Sequence, residues 1–372
     1  MKRIIYLLLA VCLLMSGCSW TRSSYVSVTP HQEQRANTQT AMISARDSLQ
    51  LLEALKDMIA EGIESAAINV SEYTSDRVEV GMDSAVEYAM ELDPIGTYAV
   101  EDIQYEQGTS GGQPALAVKI IYRHSRMDIQ RIHRLKSMEE AQPLIAEALE
   151  ECEAEVVMLV ESYEERDFSE MVSEYAQDYP QLVMEVPLVS TETYGIGSSR
   201  VVEVKLTYQT PRDTLRKMQT QVKPVFDAAR LYVSGDSSSR QKYSQLYAFL
   251  MARFDYRVET SVTPAYSLLR NGMGDDEAFA SVYAAMCHAA GLECLVVHGS
   301  LNGEPRAWNM VLDDLNYYHV DLLQCRELGK YTQRSDGYMT GYSWDRELYP
   351  SCSGAVAEAA AETTAVPEEA EK

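Results

Sequence analysis

The chain has 372 residues, 46% hydrophobic and 24% charged, which is a globular composition with apolar material for two or three domains. Acidic residues outnumber basic ones 56 to 32, a formal charge of −24. That excess argues against a nucleic-acid partner and against electrostatic docking on an anionic membrane, because both need a basic footprint.

Lys2 and Arg3 precede an apolar run, Ile4 to Met15, that is too short for an ordinary transmembrane helix. The run ends in Met15-Ser16-Gly17-Cys18. This junction resembles a bacterial lipoprotein signal. The resemblance implies that residues 1–17 are removed as a signal peptide and that Cys18 is lipidated. Acyl chains on Cys18 would hold the chain on the outer face of the cytoplasmic membrane. Residues 18–45, rich in Ser, Thr, Gln and Arg, are expected to form a flexible tether.

Residues 46–150 and 151–232 read as two small α/β modules related by an internal repeat. Val118-Lys119-Ile120-Ile121-Tyr122 recurs as Val204-Lys205-Leu206-Thr207-Tyr208. Ile68 to Tyr73 resembles Met158 to Tyr163, and Gln142 to Ile145 resembles Lys223 to Phe226. Each unit reads strand, helix, strand, strand, helix. The last helix, roughly 211–230, carries Leu215, Met218, Val222, Val225, Phe226 and Ala229 on one stripe. Neither unit holds a catalytic constellation, and both read as packing or binding modules. The acidic stretch Glu150 to Glu174 lacks the Asp/Asn/Gly pattern of a calcium loop and reads as a solvated face.

Seven cysteines are present. Cys12 would leave with the signal and Cys18 would carry lipid. Cys152, Cys287, Cys294, Cys325 and Cys352 remain, an odd number without a disulfide framework in its spacing. There is no CxxC and no Cys/His cluster at zinc spacing, so neither a metal nor a cofactor is expected.

The C-terminal third carries the most specific pattern. A helix from Tyr243 to Tyr256 is expected, then a helix opening at Gly274-Asp275-Asp276-Glu277-Ala278-Phe279-Ala280 and closing near Gly291. Strands are expected at 293–298, 307–312 and 317–322. The chain reads Ala290-Gly291-Leu292-Glu293-Cys294, Arg306-Ala307-Trp308-Asn309 and Tyr317-Tyr318-His319-Val320-Asp321. In this order these motifs resemble the transglutaminase-like, papain-like fold of bacterial cell-surface proteins, over residues 237–352. The implied fold class is α+β: two repeated small α/β modules followed by a transglutaminase-like domain at 233–352. Residues 353–372, composed of Ala, Glu, Thr and Pro without an aromatic, read as a disordered acidic tail.

In the family pattern, Gly-Val-Cys-Glu-Gly-Tyr-Ala opens the helix and His-Ala-Trp-Asn starts a later strand. The nucleophilic Cys position is then Asp276 and the His position is Arg306, while Asp321 matches the third member. The family chemistry needs a thiolate whose pKa is lowered at a helix N-terminus and an imidazole that moves protons. A guanidinium stays protonated and cannot do this. Asp276, Arg306 and Asp321 are expected to form a charge triplet with the signs of the lost ion pair. Asp276 can equally act as a helix cap beside Asp275 and Glu277.

Trp308 and Asn309 are candidates for lining a ligand cleft, although Trp308 suits aromatic packing better. Cys287 falls on the core stripe of its helix with Phe279, Tyr283 and Met286. Cys294 starts a buried strand, His298 and His319 read as structural, and His288 falls on the helix surface. The leading reading is an exported lipoprotein with a degenerate transglutaminase-like domain that binds a peptide, a peptidoglycan stem or a protein. Two alternatives stay open: a cysteine peptidase or acyltransferase with an unassigned nucleophile, and a spacer without a ligand.

Overall fold

The computed structural model describes residues 43–74, 77–258 and 261–353. The expected signal peptide at 1–17, the lipidated Cys18, most of the tether and the tail from 354 lie outside the described residues.

The first unit comprises β1 (Ile43–Ser44), α1 (Ser48–Glu61), β2 (Ser65–Asn69), α2 (Val78–Glu91), α3 (Pro94–Ala99), β3 (Val100–Ser110) and β4 (Gln113–Tyr122). Its sheet has the order β1-β2-β4-β3. β1 runs parallel to β2 and the other pairs are antiparallel. The tether therefore ends earlier than expected, since Ile43 and Ser44 pair with the sheet and Ala45 is buried. Asp47 caps α1 by accepting from the Gln50 N–H, and Gly62 closes it at φ +64°. Between those caps Leu51, Leu55, Met58 and Ile59 pack on Ile68, Leu116 and Ile120.

The second unit contains α4 (Arg126–Gln130), β5 (His133–Ser137), α5 (Ala141–Glu151), β6 (Glu155–Ser162), α6 (Phe168–Asp178), β7 (Leu188–Tyr194) and β8 (Arg200–Thr207). Its sheet runs β5-β6-β8-β7, the same order with the same strand directions as the first. Two of the three sequence correspondences fall on equivalent strands, β2 with β6 and β4 with β8. The third does not. Gln142 to Ile145 lies on α5, which packs on the second sheet, whereas Lys223 to Phe226 lies on α7 (Arg212–Tyr232), whose stripe enters the C-terminal core.

The boundaries expected at 150 and 232 move accordingly. β5 pairs with β6, from His133 opposite Met158 to Ser137 opposite Ser162, so the second unit begins near residue 126. Leu215, Val222, Phe226 and Ala229 of α7 pack with Tyr243 and Tyr283, so α7 belongs to the third unit.

That unit continues with α8 (Ser239–Met251), β9 (Asp255–Tyr256), α9 (Pro264–Tyr266) with the π turn Ser267–Asn271, β10 (Met273–Gly274) and α10 (Asp276–Ala289). β11 (Cys294–Leu301), β12 (Glu304–Asp313), β13 (Asn316–Val320), α11 (Leu322–Glu327) and β14 (Tyr342–Trp344) complete it. The helix expected through Tyr256 stops at Met251, because Asp255 and Tyr256 pair with β10. α10 is buried on every side from Ala278 to Cys287, between the sheet β13-β12-β11-β14 and the helices α7 and α8. A helix apolar all round is a core helix.

The second sheet is covered on both faces. Helices α5 and α6 cover one. On the other, Tyr98 and Ala99 of α3 pack against Val157, Leu159 and Val201. This docking depends on Gly96, because a Cβ there would collide with the carbonyl oxygen of Ala89 on α2. We expect Gly96→Ala to destabilise the chain by about 1–3 kcal/mol through overpacking. Urea denaturation measures it, and parental stability would show that α3 has room to move.

Candidate functional site

The three positions singled out by the motifs converge where α10 meets β12. Asp275 caps α10 by accepting from the Ala278 N–H at 2.9 Å. Asp276, the first helical residue, is left free to reach across, and its Oδ2 accepts from the Ala307 N–H at 2.6 Å. Capping therefore falls to Asp275, and Asp276 ties the helix start to the strand.

Arg306 donates to Asp321 through Nε at 2.9 Å and Nη2 at 2.8 Å, a bidentate fork. Asp321 also caps α11 by accepting from the N–H groups of Leu323 and Gln324, each at 3.0 Å. The Tyr342 hydroxyl on β14 donates to the same carboxylate at 2.8 Å. Burial works against the Arg306 charge, but Asp321 more than offsets it and holds the guanidinium pKa above its ordinary value. Among the described residues no hydrogen bond or ion pair joins Asp276 to Arg306. The expected triplet is instead an Arg306–Asp321 pair with Asp276 bound to backbone beside it. Arg306 directs its Nε and Nη2 to Asp321, while Asp276 accepts from the Ala307 amide.

Trp308 and Asn309 do not line an open cleft. Strand alternation sends Ala307, Asn309 and Val311 towards α10, and Trp308 and Met310 to the opposite face. Trp308 is 1% exposed and packs edge-on against Tyr342 and Trp344. Asn309 is fully buried and donates to the carbonyls of Ala280 at 2.9 Å and Leu295 at 3.3 Å. The gap bounded by Asp276, Trp308, Asp321 and Leu323 has no room for a water molecule.

The remaining candidates are held in structural contacts. Cys287 and Cys294 are buried in the core, and burial pushes the Cys287 thiol well above its usual range. Reactive cysteines need the reverse shift. His288 is on the helix surface and contacts the Cys294 carbonyl at 2.8 Å. His298 bonds Glu277 of α10 at 2.9 Å, and that carboxylate raises the imidazole pKa.

His319 belongs to a cluster that long sequence separations concealed. Its Nε2, one oxygen of Asp336 and the Cys352 sulfur lie within 4.8 Å of one another. Metal binding at this spot conflicts with the hydrogen bonds. The Trp308 indole N–H, a donor only, points at His319 Nδ1 at 2.9 Å. The imidazole proton therefore sits on Nε2 and is donated to Asp336 at 2.9 Å. A coordinating Nε2 would have to be bare, with its proton on Nδ1 against the indole N–H. Burial lowers the His319 pKa, and burial with Asp336 pushes Cys352 up to about 12.

One exposed member of the acidic stretch, Glu155, faces a buried carboxyl on the neighbouring strand. The nearby Glu203 carboxyl on β8, with partial burial, raises the Glu155 pKa to about 7. Burial pulls Glu203 upward too, but Glu155, Tyr194 and Lys205 hold it below its ordinary value. Glu155 borders a cleft of about 890 Å3 between the first two units.

Two outcomes follow. Arg306→Ala leaves Asp321 as a buried, under-compensated charge and should cost about 3–5 kcal/mol in denaturant unfolding. Arg306→Lys should recover only part of that, because an ammonium cannot make the fork; full recovery would refute the geometric account. Glu155 keeps its proton to about pH 7 when folded but loses it nearer the ordinary value of 4.5 when unfolded. The folded state then binds more protons in that window, so its contribution to stability falls as pH rises from about 5 to 7. Glu155→Gln should flatten the melting temperature against pH across that window.

Residues 227–322 match the family model of the transglutaminase-like superfamily. No curated protein sequence matches the chain. Among solved structures, a TGase crystal structure is similar at 12% identity and a TM-score of 0.26, covering 64% of this chain and 65% of that one. A proposed cysteine protease from Cytophaga hutchinsonii is similar at 13% identity and a TM-score of 0.26, over 42% of this chain and 70% of that one. The periplasmic domain of TgpA from Pseudomonas aeruginosa, bound to ethylmercury, gives 16% identity and a TM-score of 0.22, over 37% of this chain and 65% of that one. The span 227–322 contains Asp276, Arg306 and Asp321, and it is a transglutaminase-like domain within an α+β chain.

Proposed function

We propose that this chain is an exported, lipid-anchored protein whose transglutaminase-like domain is catalytically silent. The observation that carries the reading is the Arg306–Asp321 fork with Asp276 bound to the Ala307 amide. A carboxylate and a guanidinium occupy the places where the family pattern puts nucleophile and base, and neither can perform acyl transfer. The closed space around Asp276 and Trp308 also weighs against a ligand in the old cleft. Its role is then to hold the third unit together, and binding of a peptide, cell-wall or protein partner belongs elsewhere on the chain.

The anchoring half of the proposal rests on the sequence around Cys18. Among the described residues no helix is long and apolar enough to cross a membrane. The enzyme alternative requires a reactive thiol, and Cys152, Cys287, Cys294, Cys325 and Cys352 are all buried.

The purified chain should neither incorporate an amine donor into protein nor cleave peptides. The double variant D276C/R306H should gain a thiol that iodoacetamide modifies faster than any of the five buried ones, as mass spectrometry of the labelled peptides reads. Wild-type turnover that disappears on changing Cys287, Cys294, His298 or His319 would overturn the reading. For the anchor, Cys18→Ser should move the protein from the membrane fraction to the soluble one.

A further inference from the structure

A second concavity lies outside the third unit's closed site, where the first unit docks on the second. At about 890 Å3 it falls within the range of small-ligand and peptide sites. Its lining comes from α3, α4, the starts of β5 and β6, α5 and Arg212 at the head of α7.

Two independent features point to a ligand. The first is Tyr98. Its side chain is wholly buried, lines the cleft, and leaves its hydroxyl without a hydrogen-bond partner. The ring is fixed by stacking on His124 at 4.0 Å and by an edge contact with Tyr194 at 5.2 Å, so the hydroxyl cannot turn away to find one. A buried hydroxyl without a partner is unfavourable, and a native structure that retains one invites an occupant.

The second feature is charge. Five carboxylates line the cleft against two arginines and one histidine. Arg212 and Glu153 are already paired at 2.7 and 3.2 Å, which leaves four carboxylates against Arg131 and His133. Tyr98 and Glu155 line the same cleft, which brings the unpaired hydroxyl and this carboxyl to one concavity.

We propose that this cleft binds a primary ammonium group, seated between the Tyr98 hydroxyl and the Glu155 carboxylate. An ammonium has three donors and no acceptor, so it meets lone pairs on both groups and balances the surplus negative charge. An anion would be repelled, and an apolar group would leave the Tyr98 hydroxyl unpaired. A metal ion fits less well, because no third carboxylate, imidazole or thiol joins Glu155 and Glu203 at ligation distance among the described residues. The group is carried both by free alkyl diamines and by lysine side chains. The inference is independent of the silent Asp276–Arg306 site, which lies in another unit.

Calorimetric titration of the full chain at pH 8 tests it, with three probes: 1,5-diaminopentane, a blocked Ala-Lys-Ala peptide, and the same peptide acetylated on the lysine. At least one ammonium probe should bind and the acetylated peptide should not. Binding by the diamine alone identifies a small amine, and binding by the peptide alone identifies a lysine chain. Glu155→Gln should weaken binding by about tenfold or more, since it removes a charge-assisted hydrogen bond. Tyr98→Phe should weaken it about three- to tenfold while raising the melting temperature of the unliganded protein. That opposite pair of shifts separates ligand contact from loss of fold. No binding by either ammonium probe up to about 10 mM, equal binding of the acetylated peptide, or full affinity in both variants would overturn the proposal.

Discussion

The third unit is organised by one buried ion pair. The Asp321 carboxylate takes the Arg306 fork from β12, two N–H groups from α11 and the Tyr342 hydroxyl from β14. Three successive parts of the unit are therefore tied to one side chain that is 6% exposed. A buried pair earns little net stability by attraction alone, since desolvation opposes it. What Asp321 gains is complete satisfaction of its lone pairs, and that makes removal of any partner disproportionately damaging. The adjoining closed gap and the packed Trp308 follow from the same convergence.

The sequence made local features readable and hid the non-local ones. The stripe on α7, the caps and breadth of α10, and the strands from Cys294 to Val320 follow from periodicity and from glycines at turns. β5 was hidden because only Leu135 among its five residues is buried, so no alternation marks it as a strand. β1 has two residues, fewer than any periodic signal needs. These edge strands set the unit boundaries: β1 starts the first unit at Ile43, and β5, with α4 before it, places the start of the second near residue 126.

At the site, motif order located Asp276, Arg306 and Asp321, because these positions are fixed by helix start and strand start. Their pairing was not legible. Whether a guanidinium chooses one carboxylate or two depends on backbone donors such as the Ala307 N–H, which have no sequence signature. The same holds for His319, Asp336 and Cys352, brought together only by the return of the chain past β14, and for Glu155, whose partner Glu203 is supplied by a neighbouring strand. A run of acidic letters does not reveal that one exposed member faces a buried carboxylate across the register of β6 and β8.

The five buried cysteines carry a consequence for folding in time. All are free, and the fold shields each of them from solvent. In an oxidising compartment an incomplete chain would offer every thiol to its neighbours, and any bridge formed then would cross-link residues that the native core keeps unbonded. Only completion of the cores withdraws them. Under the proposed export, folding would then be a race between collapse around α10 and oxidation of Cys287 and Cys294 beside it. The predominantly local order of helices α7, α8 and α10 favours collapse in that race.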